Sequence, residues 1–199
     1  MITTAFFLAL GSNLEPHANV PRMLDSLLAI SPVVDISPIL ITPLVGIPNS
    51  RNDFLNLVVR IQISQTAEEL KAYLVSEEIR LGRDRSDPLS KIKDRVADMD
   101  ILFAMERDIL DAPYHLLPEE CYVRPQLLSL LTYLSLNCPD SGDPDMDCGI
   151  LPCTTLTYHD YIIGYDPATL YQDPNNGHIL CLDRGWQIAG ISPAEPVEA

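Results

Sequence analysis

The chain has 199 residues, 47% of them hydrophobic, enough to bury one substantial core with an appendage. Its formal net charge of −15 argues against general binding to nucleic acid or to a membrane surface. No apolar run approaches the roughly 18–20 residues of a membrane span. The five cysteines are odd in number and irregularly spaced, which suits reduced thiols better than a zinc site or a disulfide framework.

Met1–Leu10 is apolar but lacks a basic leader and a small-residue cleavage site, so it reads as a first strand and the chain is expected in the cytoplasm. That strand, Thr3–Leu10, ends at Gly11-Ser12-Asn13. Val20, Met23, Leu24, Leu27 and Leu28 fall at helical spacing and predict a helix over about Val20–Ile30. Val33–Thr42 reads as a second strand, and Pro43–Arg51 as a loop punctuated by Pro43, Gly46 and Pro48. Phe54–Ile63 alternates and predicts a third strand.

Thr66 followed by Glu69 is a capping-box signature, opening a helix that runs to Leu81 and stops at Gly82. Arg83–Asp94 is a charged loop, Val96–Phe103 a fourth strand, and Leu127–Leu136 a further helix. The order βαββαβ is that of an α+β, ferredoxin-like sandwich with a mainly antiparallel sheet. The character changes after Asn137, which divides the chain into a domain over 1–137 and an acidic extension over 138–199. Trp186 and the tyrosines from Tyr158 to Tyr171 are expected to form the core of an appended hairpin there. His17, His159 and His178 read as surface or packing residues.

Charge is distributed unevenly. Six of the 13 cations (Arg80, Arg83, Arg85, Lys91, Lys93 and Arg95) fall within one short segment, whereas three cations face fifteen acids from Ala104 onward. Composition alone allows two explanations, an anion site or a solvated helix end. Just beyond lies Asp98-Met99-Asp100, inside an apolar strand. Side chains two apart on a strand share a face, so both carboxylates point one way while Met99, Ile101 and Phe103 point the other. Two carboxylates that close repel one another and call for a positive partner. Magnesium, with substrate phosphates completing its shell, is one answer, and plain exposure to water is another. The nearby arginines favour the first, since guanidinium forks grip phosphate oxygens that the metal leaves free. Gly11-Ser12-Asn13 allows close backbone approach, but the P-loop pattern is absent.

These pieces stand in the order of a known family. Leu8–Leu14, Thr42-Pro43 with Gly46, Asp53–Asn56, Glu78, Leu81-Gly82-Arg83, Arg85 and Arg95-x-x-Asp98-x-Asp100-Ile101-Leu102 together resemble 6-hydroxymethyl-7,8-dihydropterin pyrophosphokinases of folate synthesis. The match covers roughly Ala5 to Asn137. The resemblance implies transfer of pyrophosphate from ATP to 6-hydroxymethyl-7,8-dihydropterin, with release of AMP. Asp98 and Asp100 would hold two magnesium ions, and Arg83 and Arg95 would act with them as catalytic residues. Glu78, Arg83, Arg85, Arg95 and Arg124 would serve the nucleotide. Thr42, Pro43, Gly46, Phe54 and Asn56 would bind the pterin. The loop between Arg83 and Arg95 would suit a lid.

The chain departs from the family pattern in several places. Lys93-Asp94 replace a Gly-Pro before Arg95, Glu119 replaces a histidine after Pro118, and Pro125-Gln126 stand where an aromatic is expected after Arg124. Two other readings follow from the same residues: a weak or inactive paralogue that binds pterin or nucleotide, and a different Asp-x-Asp transferase acting on sugar or nucleotidyl groups.

Overall fold

The computed structural model describes residues 3–42, 52–87, 93–106, 118, 123–136 and 152–183. Its centre is β1 (Thr4–Ser12), paired antiparallel on one side with β4 (Phe54–Ile63) and on the other with β5 (Asp98–Glu106). Outside β4 lie β2 (Val33–Ile36) and β3 (Ile39–Thr42). The order β2-β4-β1-β5, with helices between, is the expected α+β ferredoxin-like arrangement, and every pairing is antiparallel among the described residues.

β1 is apolar from Ala5 to Leu10 because both of its faces are covered. Phe6, Leu8 and Leu10 join a core under helices α1 (Pro16–Leu28) and α2 (Ala67–Leu81), while Phe7 joins a second core under α3 (Arg124–Tyr133). β4 shows the alternation that its sequence predicts. Leu55, Leu57, Val59, Ile61 and Ile63 enter the first core, and Val58 the second. α2 begins with the complete capping box, Glu69 N–H donating to Thr66 Oγ1 and Thr66 N–H to Glu69 Oε2. It ends at Gly82, whose φ of 112° is a left-handed conformation that suits glycine.

Several boundaries differ from expectation. α1 starts at Pro16, four residues before Val20, because proline at the first helical position costs no hydrogen bond. α3 starts at Arg124, with Pro125 second in the first turn, where a missing N–H likewise costs no intrahelical hydrogen bond. The second strand breaks between Ile36 and Ile39, since Pro38 has no N–H for the ladder. Ser37 fills the break, with its N–H on Val58 O and its Oγ accepting Val58 N–H, both at 2.9 Å.

A larger difference lies in β5. Phe7 pairs with Phe103 but Leu8 with Ile101, so Leu102 is an extra residue, a β-bulge. Met99 and Ile101 pack toward the first core as expected. Phe103 does not: the bulge turns it to the opposite face, where it stacks on Phe7 with ring centroids 4.6 Å apart.

The described part of the C-terminal segment joins the central sheet. β6 (Cys153–Thr154) pairs with β3, β9 (Ala168–Gln172) pairs with β2, and β10 (Ile179–Leu182) pairs with β9 across the Asn175–Gly177 turn. β7 (Leu156–Tyr158) and β8 (Tyr161–Ile163) form a hairpin. Tyr158 is not confined to a core of that hairpin, as the sequence suggests. It is 1% exposed in the first core, and its hydroxyl donates to Asp25 Oδ1 at 2.7 Å, which raises the phenol's pKa through burial and the neighbouring carboxylate. Trp186 and the 139–147 segment lie outside the described residues. His17, His159 and His178 are exposed. No helix among the described residues is long and apolar enough to cross a membrane.

Candidate active site

The pairing registers line up one row of residues across three strands. Asn56 on β4 sits opposite Gly11 on β1, and Gly11 opposite Asp98 on β5. Residues in register across a sheet share a face, so Asn56 and Asp98 project from the side that carries α3, two strand spacings or about 10 Å apart. Gly11 between them leaves room: a Cβ there would stand 2.5 Å from Asn56 Oδ1 and 3.6 Å from Phe54 Cδ1. Even alanine would have to displace the Asn56 amide oxygen, while its contact with Phe54 would be ordinary van der Waals packing.

The Asn56 end is neutral. Asn56 Nδ2 donates to Thr42 Oγ1, and Gln126 Nε2 at the start of α3 donates to the Asn56 carbonyl. Thr42 pairs with Phe54, so Thr42, Phe54 and Asn56 form one group. Arg124 opens the helix that carries Gln126. Pro43 and Gly46 lie outside the described residues, as do 88–92 in the expected lid and Glu119.

The Asp98 end is a charge network. Arg83 Nη1 donates to Asp98 Oδ1, and Arg95 Nη1 to Asp98 Oδ2, so each carboxylate oxygen carries one guanidinium. Beneath them Glu78 is fully buried. Its Oε1 accepts Met99 N–H at 2.7 Å and lies 3.0 Å from Arg83 Nη1, while its Oε2 accepts Arg85 Nε at 2.7 Å and Arg85 Nη2. A buried carboxylate is tolerated only when paired and fully hydrogen-bonded, and Glu78 meets both conditions. Three guanidiniums (Arg83, Arg85, Arg95) thus meet two carboxylates (Glu78, Asp98), leaving local positive charge on an acidic protein. With no exposed surface of its own, Glu78 fixes the arginines and the start of β5 from below.

Asp100 shares the face of Asp98 but stands outside this network. Its side chain is 58% exposed and its Oδ1 accepts Lys71 Nζ from α2 at 2.7 Å. Lys71 was not a candidate in the sequence. The signal that points to it is the spacing Lys71–Glu78, seven residues or two helical turns on one helix, which puts both beside β5. Asn13 was likewise unassigned. Its Oδ1 accepts Arg95 N–H at 2.6 Å, and its own N–H donates to Arg95 O at 3.1 Å, giving Gly11-Ser12-Asn13 a second purpose as the brace for Arg95.

Among the described residues no group of three or more His, Cys, Asp or Glu side chains converges as a metal cage. Asp98 and Asp100 do supply two hard oxygen donors on one strand face. That donor set fits magnesium, which takes one or two carboxylates and fills its shell from water and phosphate, and it does not fit a softer metal.

The fold is thus an α+β ferredoxin-like sandwich whose sheet carries, at one edge, carboxylates and arginines beside a neutral amide and aromatic group. The sequence model of the 7,8-dihydro-6-hydroxymethylpterin-pyrophosphokinase (HPPK) family matches residues 7–132, from β1 through α3, and the chain belongs to that family. Among curated proteins none matches the chain. Membership carries the family's activity class, pyrophosphoryl transfer in folate biosynthesis, and the strands from β6 onward lie outside the matched stretch.

Proposed function

We propose that this chain transfers the pyrophosphoryl group of ATP to 6-hydroxymethyl-7,8-dihydropterin in the cytoplasm and releases AMP. The observation that carries the reading is the Asn56–Gly11–Asp98 row, which sets a neutral aromatic and amide group beside an arginine and carboxylate group on one face. In the reaction the pterin hydroxymethyl oxygen bonds to the β-phosphorus, the bond from that phosphorus to the oxygen of the α-phosphate breaks, and the hydroxyl proton passes to solvent.

Each residue has a part consistent with its place. Phe54 offers a ring face for the pterin and Asn56 an amide for its polar edge, with Thr42 and the Pro43–Gly46 loop beside them. Arg83 and Arg95 turn their forks to phosphate oxygens as charge builds there, Arg85 and Arg124 add positive charge, and Glu78 holds Arg83 and Arg85 in place. Asp98 and Asp100 would hold two magnesium ions, which when bound neutralise the triphosphate. Transfer of this kind depends on positioning and charge neutralisation more than on covalent help from the protein.

The test is to supply ATP, magnesium and the hydroxymethyl pterin and to identify both products. Stoichiometric AMP and diphosphorylated pterin support the proposal. Pterin binding without AMP identifies a paralogue that binds and does not turn over. ADP in place of AMP overturns the reaction assigned.

A further inference from the structure

We propose that Asp94 is a positioning residue that ties the two ends of the site together, an inference that rests on the transferase reading above. Its carboxylate accepts Asn13 Nδ2 at 2.6 Å through one oxygen and Asn52 Nδ2 at 3.1 Å through the other. Asn13 is 2% exposed and spends its remaining side-chain oxygen on Arg95 N–H. Three segments far apart in the chain therefore meet at Asp94. They are the turn that follows Gly11, the residue two before Phe54, and the backbone of Arg95.

The chemistry of the groups explains why an acid stands there. A carboxylate only accepts, so Asp94 compels Asn13 to present its NH2 and thereby to aim its Oδ1 at Arg95 N–H. Arg95 is then held on both sides of its peptide, by Asn13 Oδ1 at its N–H and by the N–H groups of Asn13 and Leu14 on its carbonyl at 3.1 and 3.2 Å. With Asp94 removed, the buried Asn13 amide keeps only the Asn52 carbonyl at 3.4 Å on its nitrogen side. The amide is then oriented only by Arg95 N–H and that longer bond, so the link from Asn52 to Arg95 loses its shorter, charged route. Arg95 carries one of the two guanidiniums on Asp98, so a shift of its backbone moves a phosphate-binding group relative to Phe54 and Asn56.

Asp94→Ala is expected to lower kcat about ten-fold or more while KM for each substrate stays within about three-fold, because each half still binds but the two are misaligned. Hydrogen exchange at the Arg95 amide is expected to speed up about ten-fold, and this readout does not depend on turnover. Asp94→Asn retains one acceptor oxygen and is expected to recover most of both losses. Unchanged Arg95 exchange with kcat within two-fold of the parent overturns the proposal, as does an Asp94→Asn chain no better than Asp94→Ala. Should Asp94→Ala fail to fold, Asn52→Ala removes the outer bond to Asp94 and leaves the one from Asn13: a smaller loss in kcat and exchange supports the clamp, and no change in either overturns it. A parent chain that yields no AMP overturns the transferase reading, and the exchange result then still reports separately on the clamp.

Discussion

Asp98 and Asn56 stand on the same row of the same sheet with one glycine between them, yet their surroundings are built in opposite ways. Asn56 is satisfied by its neighbours, the hydroxyl of Thr42 on the adjoining strand and a side chain from α3 on its carbonyl. Asp98 is satisfied from a distance, by Arg83 at the end of a helix and Arg95 in a loop, with Glu78 buried beneath as a second counter-charge. A neutral hydrogen-bonding group can be completed locally. A charge shielded from water needs opposite charge, and that charge needs its own support. Damage should therefore spread widely at the Asp98 end and stay local at the Asn56 end.

Replacing Glu78 tests the difference most severely. Glu78→Gln leaves Arg83 and Arg85 without their buried counter-ion and is expected to cost about 3–5 kcal/mol in urea unfolding. A loss under about 1 kcal/mol would break the comparison. Asn56→Ala is expected to cost only about 1 kcal/mol of stability, yet to raise KM for the pterin with nucleotide affinity unchanged; calorimetry on each ligand alone checks that separation.

The exposed pair sharpens the contrast within the charged end. Lys71→Ala removes a partner of Asp100 that lies largely in water, so stability is expected to move by less than about 1 kcal/mol. Any loss of nucleotide affinity should shrink as salt is raised, which a titration at two ionic strengths reads. The smallest expected effect lies away from the site. Arg80, and then Ser26, hydrogen-bond Glu77 and lower its pKa despite partial burial. A depressed carboxylate contributes stability above its unfolded value and loses it as pH falls through the folded one. The difference between Glu77→Gln and the parent should thus be present at neutral pH and fade in acid, as acid-titrated unfolding would show.

Much of the fold was legible because local signals agreed with one another. The Thr66–Gly82 helix carried both its cap and its stop, and β4 carried a clean alternation. Asp98 and Asp100 were readable as acids on one face, and the arginines around Asp98 as their neighbours. The bulge in β5 was not legible, since Ile101, Leu102 and Phe103 are all apolar and the pattern is silent about which one slips. Nor was the pairing of β9 with β2 or of β6 with β3, because non-local pairing leaves no mark in either segment alone. Within the site, the resemblance put Glu78 among the nucleotide residues but could not show its burial, and nothing in the sequence assigned a role to the side chains of Lys71, Asn13 and Gln126, whose partners lie on other elements.

The most direct measurement is a calorimetric titration of a non-hydrolysable ATP analogue, with and without magnesium, into the parent chain and into Asp98→Asn/Asp100→Asn. The account predicts that magnesium tightens nucleotide binding to the parent and has little effect on the double variant. Magnesium dependence that survives loss of both carboxylates would contradict it.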